Sequence, residues 1–333
     1  MTFKNIFSQF LRNNKLSFNL LGYYFKRTLP LLFYPFTKNK EINKIVFFIG
    51  NQGDGLSFVT RIIRRNKNIV SISGDSKYWS GPDELATVME YFLPYNLRLP
   101  GLLTKEKLKT NLSPPRSWSY GSNNFYKHYT SDENDFSYKV KKKFIKAIST
   151  SLTRFGSNKI FIDKSQVYSL KMKLLKKIFG ENVYFIHITR NPLVSCYRAS
   201  IGYAGDLKRY SKKLSKQELL QISVEHWNNT SEEIMESKNE VDNYMRIKFE
   251  DILENPEKNI KEICDFIGIE FDYDMLPSPK HILPKYSKFR DRWYPIRKDL
   301  NSKYLNNIDD KSYNFIKENL NKNLLEEQNY IIK

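Results

Sequence analysis

Ile45-Val46-Phe47-Phe48-Ile49, Gly50-Asn51-Gln52-Gly53-Asp54-Gly55-Leu56-Ser57 and Phe58-Val59-Thr60-Arg61-Ile62-Ile63-Arg64 follow one another without a break, and their reading decides the fold. The first run is β-branched and aromatic and ends at a glycine, as a buried strand does. In the third, Phe58, Ile62 and Ile63 recur at helical spacing. Between them lies a tight loop that presents backbone N–H groups at a helix N-terminus. Those amides and the helix dipole favour an anion, usually a phosphate, and the glycines let the main chain approach it. A plain βα turn with three glycines is the alternative at this point.

The loop has the spacing of the nucleotide triphosphatase motif, GxxxxG before Lys and Ser/Thr, except that Leu56 stands where the lysine belongs. A phosphate cradle is kept, and the lysine of an ATPase is not. The chain of 333 residues is 40% hydrophobic and 15% aromatic, which argues for a sizeable core and against disorder. Its net charge of +19 points to anionic partners, with a lysine-rich solvated surface as the bland alternative. Cys196 and Cys264 alone make neither a disulfide framework nor a cysteine-rich zinc site and suit a reducing compartment.

Residues 1–40 carry seven basic side chains and no acid among many bulky apolar ones, and are read as an N-terminal extension to a domain at 41–333. Lys15, Lys26, Arg27 and Pro30 interrupt the apolar stretches, so none reaches the ~20 residues that span a bilayer. Two readings stay open there: a basic aromatic helix on an anionic membrane surface, or a terminal helix packed on the domain. With no signal-peptide pattern, a cytoplasmic place is expected, with peripheral contact at the inner membrane face on the first reading.

Downstream, strands are expected at 69–72, 159–163, 183–189 and 244–249. Helices are expected from Pro82-Asp83-Glu84 through Leu85, Val88, Met89 and Phe92, and then at 136–154, 168–179, 192–201, 215–236, from 250 to Gly268, and near 309–321. Residues 96–135 lack periodicity and hold Trp118 and a Tyr/Asn/His-rich run, as a lid or binding loop would. Strands alternating with helices indicate parallel βαβ units, whose ligands bind at the C-terminal strand ends. Gly53, Asp75, Lys164 and Arg190 all fall at such ends.

Four ordered pieces now resemble the sulfotransferases, which move a sulfuryl group from 3′-phosphoadenosine 5′-phosphosulfate (PAPS) to a hydroxyl or amine. They are the loop from Gly50 to Ser57, Ile162-Asp163-Lys164-Ser165, Phe185-Ile186-His187-Ile188-Thr189-Arg190-Asn191-Pro192, and Phe249-Glu250-Asp251-Ile252-Leu253-Glu254-Asn255-Pro256 with its Phe266-Ile267-Gly268 ending. The resemblance covers about residues 44–295. It implies a three-layer α/β/α fold on a central parallel sheet, like that of the P-loop nucleotide triphosphatases, and PAPS as cosubstrate without a metal. It also implies that Gly50, Gly53, Asp54, Gly55, Leu56 and Ser57 hold the 5′-phosphosulfate and that Arg190 holds the 3′-phosphate. A guanidinium fork suits that dianion.

Two departures stand out. The family usually places a cation where Gly53 stands, beside which this chain has the acidic Asp54, and it places a serine where Arg198 stands. Arg198 is expected to replace that contact and add charge, and Lys164 to supply the cation missing from the loop. Arg292 and Trp293 match loosely the family's loop that closes over the nucleotide. For the base, Asp75 is the first candidate, with Glu84 and His128 in reserve. The aromatic, basic segment at 96–135 suits a glycan or glycolipid acceptor over a small phenol. Two rivals remain: a catalytically silent homologue that binds PAPS or its product 3′-phosphoadenosine 5′-phosphate (PAP), and a basic nucleic-acid-binding protein. None of the nucleic-acid motifs appears, so no nucleic-acid partner is expected.

Overall fold

The computed structural model describes residues 38–72, 84–89, 118–156, 159–201, 214–278 and 296–332. Residues 1–37 of the expected extension, Asp75, Arg292 and Trp293 lie outside them. The strands are β1 (Ile45–Ile49), β2 (Ile69–Ser71), β3 (Ile160–Asp163), β4 (Val183–Thr189) and β5 (Tyr244–Lys248), in the spatial order β2-β3-β1-β4-β5. Every pair is parallel, with Phe47 opposite Asp163 on one side and Phe185 on the other. All five side chains of β1 are buried, as expected of a central strand covered on both faces.

Alternation along β1 divides the core. Ile45, Phe47 and Ile49 pack with α2 (Tyr138–Phe155) and α3 (Met172–Phe179) through Phe144, Ile148, Leu175 and Ile178. Val46 and Phe48 pack on the other face with α1 (Leu56–Ile63), α6 (Phe249–Glu254) and α7 (Pro256–Ile267). A further cluster around Trp227 joins α4 (Pro192–Ser200) and α5 (Lys216–Ser237) to α9 (Asp310–Asn319) and α10 (Lys322–Glu327). The helix ends carry the expected chemistry: Ser215 and Glu218 form a capping box on α5, and Gly268 closes α7 in the left-handed region.

Three elements differ from the sequence reading. The helix expected over 168–179 is a tight turn at Gln166–Leu170 followed by α3, because Lys171 leaves helical geometry. Its ammonium turns inward to the Tyr129 carbonyl and the Ser131 hydroxyl, tying the irregular segment to the core. The helix expected from 250 to 268 is two, since the residue before a proline is pushed out of the helical region and Asn255 has φ −129 and ψ 69. Phe249, expected to end β5, starts α6. Also unforeseen is α8 (Leu300–Leu305), which places Asn301 against Arg190 and Tyr304 against Arg198. Among the described residues no helix is long and apolar enough to cross a membrane.

Candidate active site

At the end of β1 the chain turns under tight steric limits. Gly50 has φ +143, and a Cβ there would meet the Ile188 carbonyl oxygen at 2.4 Å. Its amide donates to Ser169 Oγ at 3.0 Å, and that hydroxyl donates back to the Gly50 carbonyl at 3.2 Å. Gly55 has φ +98, and a Cβ would sit 2.3 Å from the Phe249 ring. No side chain caps α1, which starts one residue later, so its first amides are left for an anion. Gln52, Gly53, Gly55 and Ser57 are partly exposed, while Asn51, Asp54 and Leu56 are buried. Leu56 joins the apolar core, and the open side of the loop is left to its backbone and Ser57.

Asp54 underpins that loop. Its carboxyl accepts the Asn51 amide at 2.9 Å and the Ser195 hydroxyl at 2.6 Å. Burial pushes its pKa up to about 7, against the pull of those two bonds and of Arg190. Arg190, after β4, and Arg198, on α4, each donate to the Gly53 carbonyl at 2.9 Å. Arg190 is only 2% exposed and also donates to Asn301 Oδ1 at 2.8 Å, but its Nη2 has no hydrogen-bond partner among the described residues. Burial and the neighbouring Arg198 pull it down to about 9, still charged at neutral pH. Asp54 and Glu250 lie in its field and offset part of that charge, and the Nη2 left over is where an anion can add. Glu250 anchors the surround by accepting the Asn191 amide at 2.8 Å, the Asn301 amide group and the Tyr330 hydroxyl at 3.0 Å.

β3 ends in a different construction. Asp163 Oδ1 accepts the Leu85 amide at 2.7 Å and Oδ2 the Ser165 amide at 2.8 Å, while Ser165 Oγ accepts the Ala86 amide at 3.0 Å. These bonds hold the helical turn Leu85–Thr87 against the strand end and fix Glu84, just before it. Glu84 Oε1 lies 3.3 Å from Lys164 Nζ. Lys164's side chain is 10% exposed and Glu84's 37%, so the pair is sheltered on one side and open on the other. His128 is half-buried on the turn Tyr126–Tyr129. The structure thus brings the reserve base Glu84 to Lys164, while the first candidate, Asp75, lies outside the described residues. Asn301 and Ser195 carry no motif that flags them, and Asp163 lies in the Ile162-Asp163-Lys164-Ser165 piece without a role assigned to it. Their signal is positional: Asp163 precedes Lys164, and Ser195 is one helical turn before Arg198.

Comparisons with known proteins bear on this geometry from outside it. Among curated proteins none matches the chain in sequence. The sulfotransferase domain of the Synechococcus PCC 7002 olefin synthase superposes with a TM-score of 0.55 at 17% identity, covering 88% of this chain and 97% of that one. The sulfotransferase domain from the curacin biosynthetic pathway gives 0.51 at 12%, covering 87% and 99%. At such identities the likeness concerns the fold. A model described as the sulfotransferase family matches residues 97–273, more than half of the chain. That match begins downstream of the phosphate loop and takes in Lys164, Arg190, Arg198 and Glu250, so the loop geometry and the family match are independent observations. The chain belongs to the sulfotransferase family, enzymes that take their sulfuryl group from PAPS.

Proposed function

We propose that the protein transfers a sulfuryl group from PAPS to a hydroxyl of a glycan or glycolipid. The observation that carries the reading is Arg190: a buried, charged guanidinium with an unpartnered nitrogen, set beside a glycine loop that ends in an uncapped helix. Its 3′-phosphate partner and the loop's 5′-phosphosulfate would satisfy both. Sulfuryl transfer resembles phosphoryl transfer, in which positioning and electrostatic stabilisation supply most of the rate. A bond forms between sulfur and the acceptor oxygen while the bond from sulfur to the phosphate-side oxygen breaks. The acceptor's proton passes to Glu84. Lys164 supplies positive charge to the leaving side, which the neutral Gly53 cannot.

Support for a sugar acceptor comes from the aromatic composition of residues 96–135, since sugar rings stack on aromatic faces. Calorimetry with PAP tests the nucleotide half directly, with binding expected and a nucleotide lacking the 3′-phosphate expected to bind poorly. No binding of PAP overturns the reading. The absence of a loop cation favours a second reading, a silent homologue, which tight PAP binding without transfer to any glycan, glycolipid or phenol would establish.

A further inference from the structure

Among the described residues, three buried polar atoms on and beside the glycine loop have no hydrogen-bond partner: Asn51 Oδ1, Tyr120 Oη and Thr230 Oγ1. Native interiors leave few such atoms, and each calls for an explanation. The elements that carry them are tied together. Asn51 Nδ2 donates to Ser231 Oγ of α5 at 3.1 Å, and the Gly121 amide donates to His226 Nδ1 of the same helix at 3.1 Å. Asn229 Nδ2 donates to the Gly121 carbonyl at 2.8 Å, and a Cβ on Gly121 would lie 2.7 Å from Thr230 Oγ1. The Tyr120 ring stands edge-on to His226, with centroids 4.6 Å apart. Burial keeps His226 neutral, down to about 3, so with Nδ1 accepting its proton sits on Nε2. The turn at Trp118–Gly121 is therefore a fixed platform, and the direction of Tyr120 is set by packing. Its hydroxyl also lies in the field of Glu84 and Asp54, which with burial raise its pKa well above the ordinary value.

We infer that Tyr120, with Thr230 and Asn51, forms a binding subsite for a neutral, hydroxyl-rich acceptor beside the Glu84–Lys164 pair. The donor set carries the choice of ligand. Two hydroxyls and one amide oxygen, all uncharged, match sugar hydroxyls, each of which donates and accepts. An anionic acceptor is disfavoured by Glu84 and Asp54, in whose field the Tyr120 hydroxyl lies. An unpartnered buried hydroxyl weakens the fold rather than supporting it, so what retains it is sought outside the fold.

This inference rests on the sulfotransferase reading, and its test separates the two. Tyr120→Phe and Thr230→Val remove only the hydroxyls. Both variants should melt at or above the wild-type Tm and bind PAP within about twofold of wild type. With neutral oligosaccharide or glycolipid acceptors, kcat/KM should fall by about tenfold or more, mainly through KM, the scale of one lost hydrogen bond in a desolvated site. With a simple phenol as acceptor the change should be small. A lower Tm in both variants overturns the inference, because the hydroxyls then serve a buried water network in the fold. Undiminished sugar transfer by both variants overturns it too, with the sulfotransferase reading intact. Wild type that binds PAP and transfers to no acceptor overturns both.

Discussion

The ends of β1 and β3 lie side by side in one parallel sheet, yet charge is handled differently at each. At β1 it is locked: Asp54 is held by Asn51 and Ser195, Arg190 by Gly53 and Asn301, and Asn301 in turn by Glu250. At β3 the locked group is Asp163, whose bonds go to backbone amides, while Lys164 and Glu84 reach past it toward solvent. On the proposed reading the first end serves the nucleotide, and the second, through the Lys164–Glu84 pair, serves the transfer itself. Substitutions at β1 should therefore register in nucleotide affinity, and those at β3 in rate.

The largest expected effect lies at β3. Lys164→Ala should lower kcat by ~100-fold or more, the scale for removing one electrostatic stabiliser of a transition state. Nucleotide affinity should change far less, because the Arg190 contacts remain. Normal turnover by the variant with a verified acceptor would remove Lys164 from the chemistry and erase the contrast between the two ends.

Arg190→Ala comes next. Losing a charged hydrogen-bonding partner costs ~1.5–3 kcal/mol, or about 10- to 150-fold in PAP affinity by calorimetry. A nucleotide without the 3′-phosphate should bind the variant no worse than it binds wild type. Equal affinity of both proteins for PAP would place the 3′-phosphate elsewhere. Arg198, which shares the Gly53 carbonyl, makes the loss smaller than removing both guanidiniums would.

The same contrast explains what was legible in the sequence. β1, the glycine loop and Arg190 follow from local chemistry: apolar alternation, tight turns, and a strand end before Asn-Pro. The core faces of α2 and α5 follow from periodicity in the same way. What sequence does not show is which side chains turn inward. Asp54 and Leu56 look like loop residues facing a ligand, but burial of the first and apolar packing of the second come from α4, α6 and β4, far along the chain. Lys171 reads as an ordinary helix lysine until the carbonyl of Tyr129 breaks the helix for it. Glu84 gains its standing only because Asp163 and Ser165 cap the turn that follows it, across about eighty residues of sequence.

The smallest predicted effect concerns the carboxyls under the two ends. Asp54 has a folded pKa of about 7 against an ordinary 3.8, so between those values the folded state binds more protons than the unfolded state. Stability must then fall as pH rises through that window, with a slope that approaches about 1.4 kcal/mol per pH unit. Asp54→Asn removes the titration and keeps the bonds: its oxygen accepts the Asn51 amide, and its amide group donates to Ser195, whose hydroxyl can turn to accept. The variant's stability, measured by urea unfolding from pH 5.5 to 7, should decline less steeply than wild type by about 1.5 kcal/mol over that range. Parallel curves would show that Asp54 does not titrate there. Asp163, pushed up to about 6 by burial, allows no such exchange. Both of its oxygens accept backbone amides, which cannot reverse, so Asp163→Asn sets an amide donor against an amide donor. It should be destabilised at every pH, and a flat, wild-type-like curve for Asp163→Asn would mean that Leu85 and Ser165 are held by something other than the end of β3.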